Sequence, residues 1–203
     1  TAAGMKTAKT KDEIRVDLII KARELIAEKG NEYLTARKLA EYSGYSVGTI
    51  YNQFKSMDVL VMWENCQTLD ELYQKLQTAE FGSDAYVNLN HLLEKYVDFV
   101  LENKNLWFTL YNFHFASVMA DFELFYLRRI IKIVQLLEHN LHKLFVKVPA
   151  GERRVSTEVL FIAVFALSSL LATEKEFARL EKRYVVRVLF NTYLAGMSYL
   201  AKK

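Results

Sequence analysis

The chain has 203 residues, of which 52% are hydrophobic and 25% charged, and its 27 Lys and Arg against 24 Asp and Glu leave a net charge of +3. That length admits one large domain or a small one beside a medium one, and the composition excludes a wholly disordered chain. Seven Gly, one Pro and a single Cys argue for long helices, exclude an internal disulfide and fit a reducing, cytoplasmic compartment.

The first residues are polar and lack the apolar segment of a secretory signal. Residues 1–10 read as a flexible arm, with residues 1–4 ahead of Met5 as an expression remnant. Lys6, Lys9 and Lys11 precede the first acid in the chain and suit a phosphate backbone. Residues 1–58 contain 10 Lys and Arg against 8 Asp and Glu, so affinity for a polyanion must come from local charge. Thr10 and Glu13 match a capping box, and Ile14, Leu18, Ala22, Leu25 and Ile26 form one apolar stripe up to Gly30, which predicts a first helix.

Residues 35–54 then describe two short helices pinned at a sharp angle. Leu39, Ala40, Tyr42, Ile50 and Phe54 supply a small apolar interior, while Ser43-Gly44-Tyr45 is too short for a loop and too Gly-centred to continue a helix. A helix-turn-helix is the economical reading. Gly44 can take the left-handed conformation of a tight turn, and Ser46 is placed to cap a second helix starting at Val47. In such motifs the first residues of the second helix face base edges, so Val47, Gly48 and Thr49 lead, with Tyr51 and Gln53 farther along. Gly48 costs about 1 kcal/mol relative to Ala inside a helix. A side chain there must obstruct either groove atoms or the first helix of the motif.

Val59, Met62, Cys66, Leu69, Tyr73 and Leu76 alternate steps of three and four, predicting a long, rigid helix that joins the two halves. Leu89, Leu93, Tyr96, Val97 and Val100 define another helix after Gly82. A short aromatic segment follows at residues 106–115, and Leu127, Ile130, Val134, Leu137, Leu141 and Leu144 make a further stripe ending before Pro149. Residues 155–173 are apolar almost all round, and Val185, Val188, Leu189, Thr192, Ala195, Gly196 and Tyr199 line a face of the last helix. The longest apolar run, residues 159–172, is shorter than the roughly 20 residues a bilayer requires, so no membrane partner is expected. Helices this apolar need cover on several sides, from a second subunit or from the chain itself.

Residues 15–60 resemble the DNA-binding domain of TetR-type transcriptional regulators. The matching residues are the helix ending Glu28-Lys29-Gly30, then Leu34-Thr35, Leu39-Ala40, Gly44-Tyr45-Ser46, Gly48-Thr49-Ile50-Tyr51, Phe54, Ser56, Asp58 and Leu60. The resemblance implies an all-α protein, with residues 11–58 as the helix-turn-helix domain and residues 59–203 as a helical effector-binding and dimerisation domain. It also implies a homodimer whose small ligand releases double-stranded DNA. By position Arg37 and Thr49 would contact phosphate or bases and Tyr51 phosphate, and Ser46, Val47, Gly48, Asn52, Gln53 and Lys55 complete the expected DNA-binding set. Many members have Lys where this chain has Met57, and His or Tyr where it has Gln53. An amide at 53 can instead pair bidentately with adenine.

The same resemblance places the effector among Trp63, Tyr86, Trp107, Tyr111, Asn112, His114 and Phe115, near Phe113. Aromatic walls with a few polar tips suit a small, mainly apolar molecule, which Asn112 and His114 would orient. It also implies a four-helix dimer interface, where Ala163, Ala166, Ser169, Ala195 and Gly196 allow close approach beside Leu170, Val188, Thr192 and Tyr199.

Other chemistry is thinly represented. Gly44-Tyr45-Ser46-Val47-Gly48 matches the Gly-x-Ser-x-Gly elbow of serine hydrolases, with His139 or His142 as a base, but an elbow needs a strand ahead of the serine and residues 37–43 read as helix. Glu138, His139 and His142 supply too few ligands for a closed metal site. No Gly-rich phosphate loop is present, and no cofactor is expected. The expected function is a ligand-released DNA-binding regulator, a repressor on a palindromic operator; the alternative is a helical ligand-binding or interaction protein whose DNA head has decayed.

Overall fold

A computed structural model describes residues 9–79, 82–115, 123–173 and 181–202, and within them the fold is all helical, without a strand. Its helices are α1 Lys11–Lys29, α2 Ala36–Ser43, α3 Val47–Phe54, α4 Met57–Gln77, α5 Ala85–Glu102, α6 Lys104–Phe115, α7 Glu123–Leu144, α8 Ala150–Thr173 and α9 Lys182–Leu200. Two compact units divide the chain at residues 65 and 66, inside α4.

Local chemistry sets the elements of the first unit. Thr10 Oγ1 accepts from Glu13 N at 3.2 Å while Thr10 N donates to Glu13 Oε2 at 2.7 Å, closing the expected capping box at the start of α1. Gly30 and Gly44 end α1 and α2 at φ 85° and 77°, where a Cβ would be strained. Thr35 and Ser46 cap α2 and α3. Lys55 also has positive φ, 62°, because Ser56 N donates to Phe54 O at 2.7 Å and closes a γ-turn between α3 and α4. Leu18, Ala22, Ile26, Leu39, Ile50, Phe54 and Leu60 fill the interior.

Charge fastens the first half of α4 to α1. The Arg15 guanidinium lies 5.1 Å from the Phe54 ring and 4.8 Å from the Trp63 ring, and Arg23 Nη1 meets the fully buried Glu64 at 2.7 Å. Tyr42 differs from expectation. It is half exposed, its hydroxyl donating to Glu24 Oε2 at 2.9 Å and its ring under Lys21, because that polar bond is available only at the surface.

In the second unit α5, α6, α7, α8 and α9 pack with the end of α4 around one apolar core. Asp84 caps α5 through Oδ1, which accepts from Tyr86 N and Val87 N. Asp70 pairs with Arg129, Asp98 with Arg183 and Glu94 with Arg187. Residues Ala150–Ala172 of α8 are long and apolar enough to cross a membrane by length and composition alone, a longer run than the sequence suggested. In the fold this helix places Leu160, Val164, Phe165 and Leu171 in the core, and Ser168 and Ser169 hydrogen-bond there.

Candidate nucleic-acid interface and ligand cavity

The α3 face is built by its cap. Ser46 Oγ accepts from Thr49 N at 3.0 Å and lies 2.9 Å from Thr49 Oγ1, fixing the first turn with Val47, Gly48 and Thr49 at the open end. Arg37, Ser46, Gly48, Tyr51, Asn52 and Lys55 are exposed, and Val47, Thr49 and Gln53 half-buried. A Cβ at Gly48 would meet only Ser46 Oγ at 3.6 Å, an ordinary contact. Packing against α2 is therefore not the reason for this glycine. Gln53 Oε1 is buried without a hydrogen-bond partner, so turning the amide outward sacrifices no internal bond.

Lys9 differs from the free backbone-tracking charge expected of it. Its Nζ meets Asp17 Oδ2 at 2.5 Å and Tyr45 Oη at 3.1 Å. These bonds push the Lys9 pKa up to about 12 and hold the Asp17 carboxyl below its ordinary range, with Lys9 the larger cause and the Tyr45 hydroxyl the next. Lys6 lies outside the described residues.

Ser46 has no elbow geometry. The helix α2 and a left-handed Gly44 lead into it, and its oxygen caps α3. His139 and His142 are exposed on α7, and among the described residues no group of three potential metal ligands occurs.

The residues 18–62 match the family of bacterial regulatory proteins, tetR family. The matched residues all lie within the first unit. Solved structures extend the likeness over both units: a tetR-family transcriptional regulator from Streptomyces coelicolor is 15% identical with a TM-score of 0.71, over 94% of this chain and 87% of that one. FadR from Bacillus subtilis in complex with stearoyl-CoA is 14% identical, TM-score 0.70, over 89% and 98%. BioQ with its double-stranded DNA operator is 16% identical, TM-score 0.63, over 89% and 98%. At these identities the likeness is one of fold. No curated protein matches the sequence.

The second unit contains an apolar cavity of about 30 Å³ lined by Leu76 of α4, Leu92, Leu93 and Tyr96 of α5, Ile133, Leu136 and Leu137 of α7, Leu160, Phe161 and Val164 of α8, and Phe190 of α9. That volume takes a molecule or two the size of water. None of the described aromatic residues expected at the effector lines it. Trp63 belongs to the first unit, its ring against Arg15. Tyr86 is half exposed, its hydroxyl 3.4 Å from Asn191 Oδ1, and Asn112 faces solvent. Trp107 is core: its Nε1 donates to Ser169 Oγ at 2.8 Å and its ring meets Tyr96 edge-on at 5.5 Å. Tyr111 packs on Phe165 at 5.8 Å. The side chains of His114 and Phe115 lie outside the described part. Among the true wall residues, Leu76, Leu93, Tyr96 and Leu137 stand in stripes that the sequence displays, but nothing local marks them as facing space.

The expected dimer face divides in the same way. Ser169 is buried inside the chain on Trp107 and cannot serve a partner. Ala163 and Ala166 are half-buried, while Leu170, Val188, Thr192, Ala195, Gly196 and Tyr199 are exposed. Val155, Val159 and Ile162, spaced by four and three on α8, are 60%, 58% and 61% exposed, and Tyr184 and Tyr199 on α9 are 62% and 63% exposed.

Proposed function

We propose that the protein is a cytoplasmic, homodimeric DNA-binding repressor, released from a palindromic operator by a small, mainly apolar molecule. The open, capped α3 carries this reading, with Gly48 unobstructed by any part of the protein. Val47, Gly48 and Thr49 enter the major groove, Gln53 reads a base edge, and Arg37, Tyr51 and Lys55 hold phosphate. The BioQ structure with its operator shares the fold. An intact cap and turn count against a decayed head.

Two copies meet through the exposed apolar faces of α8 and α9, which otherwise leave valine, isoleucine and tyrosine side chains in water. The effector takes the cavity in the body, as the FadR structure with stearoyl-CoA encourages. A ligand larger than the cavity has to part α5, α7 and α8 from Leu76, and α4 runs from Leu76 back to Glu64 and Trp63, which fasten it to α1. Moving α4 changes the separation of two heads that must stand roughly 34–36 Å apart on DNA.

Selection of bound sequences from a random duplex pool tests the proposal. A palindrome with affinity falling linearly in log salt is the expected result, and Gln53→Ala relaxes preference at one base position in each half-site. Recovery of no sequence preference would defeat it, and a monomer in sedimentation at micromolar concentration would defeat the dimer.

A further inference from the structure

One turn from the cavity, at one end of it, four helices exchange apolar residues for polar ones. Asn88 lies one turn before Leu92 on α5, Asn140 one turn after Leu137 on α7, Thr157 one turn before Leu160 on α8, and Tyr193 one turn after Phe190 on α9. Steps of three and four keep each on the face that lines the cavity. Cross-helix bonds place these residues at a common end: Asn88 Nδ2 donates to Asn140 Oδ1 at 3.3 Å, Tyr86 Oη lies 3.4 Å from Asn191 Oδ1, and Thr157 adjoins the Tyr193 hydroxyl.

The two asparagines are occupied, Asn88 also by Gly82 N and O and Asn140 by Leu136 O. Thr157 Oγ1 donates to Arg153 O at 2.8 Å. Tyr193 Oη is buried without a completed hydrogen bond; burial pushes its pKa up to about 12, which Thr157 offsets only in part, so at neutral pH it is a proton donor lacking an acceptor. Arg153, one turn beyond Thr157 on the same face of α8, is 8% exposed. Its Nη1 donates to Phe145 O at 3.3 Å and Val148 O at 2.9 Å, at the end of α7, but its Nε is buried with no partner. A guanidinium stays charged, and a buried charge whose compensation is two carbonyl oxygens lacks an anion.

We infer that the effector is an apolar chain ending in a carboxylate, with the chain in the cavity and the carboxylate in this polar layer, held by Arg153 and Tyr193. This rests on the cavity being the effector site. Arg153 and Leu160 are seven residues apart, about 10 Å of helix rise, so the chain between head and cavity is a medium or long alkyl chain.

Titration calorimetry of the full chain at pH 8 with dodecanoate and with dodecanol, both below micellar concentration, tests the inference. Dodecanoate binds at least ~10-fold tighter than dodecanol, as a hydrogen-bonded charge pair requires. Tyr193→Phe, which removes one hydroxyl and leaves the ring, lowers that preference several-fold, and Arg153→Gln abolishes it. Arg153 also closes the end of α7, so Tyr193→Phe keeps the test decisive should Arg153→Gln unfold. Equal affinity for acid and alcohol, or a preference unchanged by Tyr193→Phe, overturns the head-group assignment and leaves the apolar cavity standing. Binding of neither compound removes the effector reading as well.

Discussion

The first unit presents its proposed DNA-reading surface already formed, with α3 capped by Ser46, turned by Gly44 and open at Gly48, whereas the second holds a cavity of about 30 Å³ that no drug-sized ligand fits. A DNA groove is an outside surface, and a helix can be shaped for it without any space being kept inside the protein. A cavity among helices is different, because empty apolar volume forfeits dispersion contacts and the walls close on it. Under the proposed function the reader can be rigid, and the body is the part that needs two arrangements.

Substitutions that break the two units by different mechanisms test this contrast. The largest effect is expected from Trp107→Ala, which empties a core position hydrogen-bonded to Ser169 and should lower stability by about 3–5 kcal/mol in urea unfolding. A cavity wall at Trp107 would instead give a small loss and a changed ligand affinity. Glu64→Gln removes the buried partner of Arg23 in the first unit and should cost about 3 kcal/mol, with the loss confined to the transition that reports α1 and α4. Ser46→Ala deletes the α3 cap, about 1 kcal/mol, and operator affinity should fall with it in fluorescence anisotropy.

The smallest effect concerns pH. The Asp17 carboxyl is held below its ordinary value of 3.8 in the folded state by Lys9 first and Tyr45 second. Its contribution is complete above that value and is lost as pH falls through the lower folded pKa. Melting temperature should therefore be flat in this respect from pH 5 to 8 and drop below about pH 4, by more in the wild type than in Asp17→Asn. The raised Lys9 pKa works in the opposite sense, its contribution present below 10.5 and lost as pH rises through about 12.

The contrast also explains what the sequence discloses. Caps and turns are decided within four residues, and Thr10 with Glu13, Gly44 and Ser46 all do in the fold what their spacing predicts. Stripes along α1, α4 and α5 likewise mark their buried faces, whereas on α7 Leu127 and Leu144 are exposed and Tyr126 and Ile133 are buried in their place. The cavity is illegible by the same means, since its wall is assembled from five helices and an aromatic residue fills a core as well as it lines a pocket. Trp107 and Tyr111 went to the core, and the cavity fell to aliphatic side chains with Tyr96, Phe161 and Phe190. Ser169 shows the matching error for small residues: its hydroxyl, not its size, determines its place.

Paired measurements of stability and operator affinity on Gly48→Ala separate an obstruction in the DNA from one within the protein. A methyl at position 48 meets nothing nearer than Ser46 Oγ at 3.6 Å and spares the helix the entropy of glycine. The expected result is a first unit more stable by about 0.5–1 kcal/mol that binds its selected operator at least ~10-fold more weakly, because the obstruction lies in the DNA. Equal or tighter operator binding by Gly48→Ala would contradict it.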